Sequence, residues 1–298
     1  QRERLFLVGG AWRAIARIDM DRRGYPLAVL HEYRMSRKAI FATVDYIRQS
    51  DPEELRLRCG LGTSRMALVP LASLVLKELV KTFKPYDIAI SSYGIREGML
   101  YEQMPKQVRN RDPLIEACRF AENKDARIPG FGKTLYDFVL PLFKGRKAPD
   151  KRLIKAACLL HDVSWRAHPD YRHEVCFDEA TRANLGGLTH SERVFLGTAL
   201  FHRYKNSRDE TRFEGIFDLI EGRDLAHAEV LGKAMRFGAM LIPTERAEMG
   251  SLKFFPKKQR LELRLAKGTR DLYGEVAEAR LQSLAAALGV EDLVVKGR

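Results

Sequence analysis

No apolar run in this 298-residue chain reaches the ~20 residues that a membrane-spanning helix requires. No charged-then-apolar leader opens it either, so the expectation is no membrane partner and no secretion. Cysteine is scarce: Cys59, Cys118, Cys158 and Cys176 are widely spaced, with no C-x-x-C pair. That argues against a zinc ribbon and a disulfide framework, and predicts small buried thiols in a reducing cytoplasm. Internal repeats, low-complexity tracts and recognised RNA- or DNA-binding motifs are missing as well. Negative charge is in short supply: 52 lysines and arginines stand against 39 aspartates and glutamates, a formal net charge of +13. Such an excess points to a polyanion (nucleic acid, a membrane surface or a polyphosphate-like chain) or else to a solvated basic surface. Finally, no methionine opens the chain. Gln1 stands just ahead of the apolar run Leu5-Phe6-Leu7-Val8, and a start inside a strand predicts a fragment.

Hydrophobic residues make up 45% of the chain, enough for a packed core. Leu5–Val8 ends at Gly9-Gly10, the pattern of a buried strand feeding a tight turn. Helical periodicity follows at Trp12, Ile15 and Ile18, then over 36–49 behind the cap residue Ser36, and from Leu71 to Phe83 behind Pro70. Ile88-Ala89-Ile90-Ser91 is a second short strand, entering the turn Ser92-Tyr93-Gly94 and a further helix. Strands alternating with helices predict an α/β domain over 1–102. Residues 103–130 are polar and broken, a connecting segment with a helix at Leu114–Ala121. Residues 131–298 are predominantly helical: apolar periodicity covers Leu135–Phe143 and Leu153–Trp165, and Thr189-His190-Ser191-Glu192 has the capping-box form. Leu261-Glu262-Leu263-Arg264-Leu265 alternates strictly, a half-exposed strand that Leu252-Lys253-Phe254 can join as a small hairpin. A last helix is expected from Asp271 to Leu288, stopping at Gly289.

Val8-Gly9-Gly10-Ala11-Trp12-Arg13 and the stretch from Ser91 to Tyr101 resemble signatures of the exopolyphosphatase / guanosine pentaphosphate phosphatase (Ppx/GppA) family, as does Ser64-Arg65 with Pro70 at a helix head. The resemblance continues through Asp112–Cys118 and Trp165–Arg172, and so covers essentially the whole chain. It implies an actin-like, ribonuclease H-like architecture of two α/β lobes around a cleft, followed by a helical domain similar to HD phosphohydrolases. Residues 1–102 would then be the C-terminal part of the second lobe, and 131–298 the HD-like domain. The implied reaction is hydrolysis of the terminal phosphoanhydride of inorganic polyphosphate, or of guanosine pentaphosphate, with Mg²⁺ as cofactor. The family's general base is a glutamate in the first lobe, and its main phosphate cradle is a Gly-rich loop. No D-x-G-G-G-S-type loop occurs in the 298 residues, so both groups are expected upstream of Gln1, in a missing N-terminal segment of the same protein.

Several residues here carry chemistry of their own. Gly9 and Gly10 can let backbone N–H groups approach a phosphate, or can simply serve a strand-to-helix turn. Arg13, Arg65 and Arg96 flank the signature turns. Guanidinium is always charged and bonds two oxygens at once, but it can equally pair with a carboxylate such as Glu97. His161-Asp162, placed on a helix, resembles the metal-binding HD motif. The expected histidine one helix earlier is missing from Gly132–Phe143, and Ala239 stands where a later aspartate belongs. Arg166, His168, Arg172 and Lys205, with His173, His202 and Arg203 among them and Trp165, Tyr171 and Tyr204 at the border, form a candidate polyanion track. The alternatives to a fragment of an exopolyphosphatase are a stand-alone HD-type metal phosphohydrolase and a basic nucleic-acid-binding module. Two strands make a thin sheet for residues 1–101, so an open edge is expected, covered by a companion segment or by a second copy of the chain as a homodimer.

Overall fold

The computed structural model describes residues 4–145, 150–209, 211–241 and 248–297. The chain divides into two compact units, 1–110 and 111–298.

The first unit is an α/β layer. Strand β1 (Arg4–Val8) leads through Gly9 into α1 (Gly10–Arg22). β2 (Arg34–Met35) precedes α2 (Arg37–Gln49), α3 (Pro52–Arg58), α4 (Thr63–Met66) and α5 (Val69–Phe83). β3 (Asp87–Ser91) is followed by α6 (Ile95–Gln103) and α7 (Lys106–Arg109). The sheet order is β1-β3-β2: β1 runs parallel to β3 with Phe6 opposite Ala89, and β2 pairs antiparallel with Met35 opposite Ile88. β3 is central and covered on both faces, which is why Ile88, Ala89 and Ile90 form an unbroken buried apolar run. β1 lies at the edge. Leu7 is buried while Phe6 and Val8 are 54% and 49% exposed, so one face of this strand is open among the described residues. Two residues, Arg34 and Met35, make the strand that the sequence pattern does not show, because a pair is too short to carry a period.

Side chains set the helix starts. The Ser36 Oγ accepts from the Ala39 N–H at 3.1 Å, and Asp51 accepts from the Glu54 N–H at 2.8 Å. A buried carboxylate then ties the layer together. Asp19, on α1 and fully buried, accepts from the Tyr33 hydroxyl, the Thr43 hydroxyl and the Arg22 guanidinium, each at 2.7 Å. This fixes α1 against the approach to β2 and against α2.

The second unit is helical: α8 (Pro113–Asp125), α9 (Phe131–Val139), α10 (Lys151–Leu160), α11 (Arg172–Arg182), α12 (His190–Tyr204), α13 (Glu214–Phe217), α14 (Gly222–Gly238) and α15 (Glu275–Ala287). Helix α8 packs Leu114, Ile115 and Cys118 into this unit's core, and its cap Asp112 also holds Arg152 of α10. At α12, Thr189 and Glu192 satisfy each other's backbone N–H groups as a capping box. Gly232 lets α14 meet α12 closely: a Cβ there would lie 2.4 Å from the Ala199 carbonyl oxygen. The expected hairpin is β4 (Gly250–Phe255) against β5 (Arg260–Leu265), with Leu252 opposite Leu263. A further strand, β6 (Asp292–Lys296), follows the Gly289 turn and runs parallel to β5. Among the described residues, no helix is long and apolar enough to cross a membrane.

The helix expected over Leu153–Trp165 stops at Leu160, so His161 caps it and Asp162 lies in the turn beyond. The Val163 N–H bonds the Leu160 carbonyl and the Trp165 N–H bonds the Asp162 carbonyl, the three-residue spacing of tight turns. The last helix begins at Glu275, after a 3₁₀ segment at Lys267–Leu272.

Replacing Asp19 by alanine removes the buried acceptor that Tyr33, Thr43 and Arg22 share, while Thr43 keeps the Ala39 carbonyl and Tyr33 the Arg23 guanidinium. Asp19→Ala is expected to cost about 1–3 kcal/mol, read as a lowered urea midpoint with an unchanged slope.

Candidate phosphate-binding site

In the first unit the signature segments converge at the carboxyl ends of the parallel strands β1 and β3. Gly9 has φ +136°, a conformation that favours glycine, and turns β1 sharply into α1. No side chain caps α1 and no acidic residue sits in its first turn, so the positive end of the helix has no built-in carboxylate. The Arg65 guanidinium lies across Gly10: a Cβ there would fall 3.1 Å from Nη2 and 3.2 Å from Cζ. Glycine at this position is therefore what permits the close approach of Arg65.

Arg13 has a different place. Half-buried, it donates from Nε to the Ser91 carbonyl at 2.9 Å and from Nη2 to the Tyr93 carbonyl at 3.2 Å, stitching the two signature turns together. The second turn is braced further by the Ser92 N–H on His31 Nδ1 at 3.3 Å, and by edge-on contact of the His31 and Tyr93 rings. Glu97 closes the α6 N-terminus, accepting from the Gly94 N–H at 2.6 Å. That hydrogen bond foremost, then the Arg13 and Arg96 charges, hold its carboxyl below the usual range. Arg96 is exposed on the first turn of α6. The structure thus brings Gly9, Gly10, Arg13 and Arg65 into one cluster, with Arg96 acting on its margin. His31 and Asp19 complete the support. Their defining partners Tyr33, Thr43 and Ser92 lie 14 to 61 residues away, so no local pattern singles them out.

In the second unit, the three segments compared with an HD motif do converge. Phe131, His161, Asp162 and Ala239 line one cavity of about 230 Å³, together with Arg127, Ile128 and Arg203. A divalent cation does not fit these residues. The Asp162 carboxylate is already taken by Arg127, from Nε at 2.8 Å, Nη2 at 2.5 Å and the backbone N–H at 3.2 Å. His161 turns Nδ1 to the Cys158 carbonyl at 2.8 Å. Among the described residues no group of three or more His, Cys, Asp or Glu could hold a metal. Burial pushes the His161 imidazole below its ordinary value, and Arg203 adds to the effect. Burial opposes ionisation of Asp162, but the Arg127 hydrogen bonds and the charge beside it win and hold the carboxyl low. Arg127, 35 residues from Asp162, lies in the stretch that reads as a connector, and nothing in its neighbours marks it.

The basic and aromatic stretch divides. Arg166 stacks over Trp165 at 4.8 Å and stands 3.8 Å from Asp125; exposed His168 is 3.5 Å from Asp170; Arg172 donates to the Ala167 carbonyl at 3.0 Å. Lys205 ends α12, where its charge acts on His173. His202 and Arg203 are buried at 0% and 8% exposure, so neither belongs to a surface track.

The family described as "Exopolyphosphatase, C-terminal" matches residues 139–295, and the "Ppx/GppA phosphatase family" matches residues 2–107. Retrograde regulation protein 2 of Saccharomyces cerevisiae is 25% identical over 218 residues, which cover 70% of this chain and 36% of the yeast protein. The chain therefore spans about a third of the length of that curated relative.

His161 and His202 are both held below the ordinary imidazole value of 6.5 by burial. A depressed folded value means that the unfolded chain binds more protons as pH falls below 6.5, so stability is lost on acidification. Each histidine contributes a slope of up to ~1.4 kcal/mol per pH unit. Urea unfolding from pH 7.5 to 5 is expected to show a shallower loss in His161→Gln and His202→Gln, and the shallowest in the double variant.

Proposed function

The chain belongs to the Ppx/GppA phosphatase family, and on that premise we propose that it is part of an exopolyphosphatase that removes terminal phosphate from linear polyphosphate, or from guanosine pentaphosphate. The observation that supports this most is the convergence of the Gly9-Gly10 turn, the Arg65 guanidinium and the Ser91–Tyr93 turn at the ends of β1 and β3. Such a cluster offers backbone N–H groups, a helix N-terminus and a cation that can bond two oxygens of a phosphate.

In hydrolysis of a phosphoanhydride, the phosphorus is attacked in line by water while charge spreads over the equatorial oxygens. Arg65 and the α1 N-terminus would hold and neutralise the phosphate chain, and Arg13 would set the spacing of the two turns. Arg166, His168, Arg172 and Lys205 would guide the distal part of the polyanion. A base to orient the water is assigned to a segment outside these residues, as is the Gly-rich loop. The greater length of the yeast relative and the open face of β1, with Phe6 and Val8 exposed, favour such a segment or a second copy packing there. The family's Mg²⁺ is given no ligands in this chain.

Fluorescence anisotropy with long-chain polyphosphate tests the reading. Binding by this chain is expected to weaken steeply with salt, and Arg65→Ala to weaken it by roughly tenfold, as for loss of one charge-assisted bidentate contact. The chain by itself is expected to release no phosphate with Mg²⁺ present. Vigorous Mg²⁺-dependent release would overturn the assignment of the base to another segment, and polyphosphate binding indifferent to Arg65 would overturn the assignment of the site.

A further inference from the structure

The cavity beside His161 and Asp162 contains two guanidinium groups, one carboxylate and one imidazole. The carboxylate is used up: both Asp162 oxygens accept from Arg127, which balances that pair. Arg203 is left over. It is only 8% exposed, its Nε has no hydrogen-bond partner, and no described residue forms an ion pair with it. Its contact is the Tyr204 ring, 4.8 Å from Cζ, while the Tyr204 hydroxyl is committed to the His161 carbonyl at 3.1 Å.

Asp162 attracts this charge, but that carboxylate is already hydrogen-bonded to Arg127. The cations acting on Arg203 include Arg127 and Arg280, and Arg203 in turn acts on Arg236. Arg280 itself donates to the Arg236 carbonyl at 3.4 Å. A lysine or histidine so placed could shed its proton, but arginine cannot. An unpaired buried charge is strongly unfavourable. Arg193 on the same helix shows the ordinary solution. It is 1% exposed, and its terminal nitrogens reach the carbonyls of Thr181, Ala183 and Leu185. Arg203 has no such carbonyls and faces a cavity instead. At about 230 Å³ that cavity has room for several water-sized volumes, hence for a tetrahedral oxyanion.

We propose that this pocket is an anion site, in which Arg203 is the principal ligand of a phosphate group and Arg127 a second donor beside it. The lining favours an anion over a cation: Ala239 offers no ligand, and the Asp162 carboxylate is neutralised by Arg127. The phosphate can be free orthophosphate or the terminal group of a polyphosphate chain. The inference goes beyond the proposed hydrolysis and does not rest on it.

Thermal unfolding of the full chain at matched ionic strength is the test, with sodium phosphate, sodium tripolyphosphate or sodium chloride as the added salt. The wild-type Tm is expected to rise by roughly 3–6 °C for each tenfold increase in phosphate above Kd, and not to rise with chloride. A rise with orthophosphate identifies the free ion; a rise confined to tripolyphosphate identifies the chain terminus. Arg65→Ala, which disables the site at Gly9-Gly10, is expected to leave a remaining response, and Arg203→Met added to that variant is expected to abolish it. Ala239→Asp, which places a carboxylate in the cavity, is expected to raise the Tm without phosphate and, added to Arg65→Ala, to remove the remaining response. Equal wild-type Tm values in phosphate, tripolyphosphate and chloride would overturn the proposal, as would a response that is the same in Arg65→Ala and in the Arg65→Ala, Arg203→Met double variant.

Discussion

With 52 basic side chains and only 39 acidic ones, carboxylates are the limiting resource of this protein, and where they are buried decides much else. Asp19 gathers Arg22, Tyr33 and Thr43 at the heart of the first unit. Asp162 is consumed by Arg127 in the second. Glu229 faces Lys233 at 2.7 Å, with His202 and Arg208 at 4.0 Å. Glu122 is 3% exposed and accepts from the Gly132 N–H at 2.7 Å, and burial raises its carboxyl. Each buried acid has a defined task. The cations that remain are therefore the groups most open to a polyanion.

The two units use that surplus differently. In the first, cations flank a backbone turn: Gly10 admits Arg65, and Arg13 holds the Ser91–Tyr93 turn at a fixed distance through its carbonyls. The positioning is rigid because parallel strands place both turns at the same end of the sheet. In the second, an arginine takes the carboxylate that would otherwise invite a metal. A guanidinium is already charged, planar and bidentate, so it completes the electrostatics of Asp162 without any ion. What remains around Arg203 is positive rather than negative, and the preference of the pocket changes sign with it.

Much of the architecture is legible in the sequence because it is local. The buried run Ile88-Ala89-Ile90, the cap at Ser36, the capping box at Thr189 and the alternation over Leu261–Leu265 each express a geometry within a few residues. The family motifs at Gly9-Gly10 and Ser91–Tyr93 are local in the same sense. β2 escapes because two residues carry no period. The end of α10 escapes because apolar spacing continues past Leu160, while the backbone turns to bring Asp162 to Arg127.

The sequence by itself determined the α/β-then-helical order of the chain, its family and its cationic character, since each follows from residue type and short-range spacing. Only the tertiary structure decided which cations are available. Arg13, Arg65, Arg127 and Arg203 are alike as letters. One is spent on backbone carbonyls, one lies open across a glycine, one neutralises a buried acid and one is buried against a tyrosine ring with its Nε unbonded. The difference is a matter of which groups approach within about 3 Å, the range over which hydrogen bonds form. Those partners come from segments tens of residues apart, beyond the reach of any local pattern.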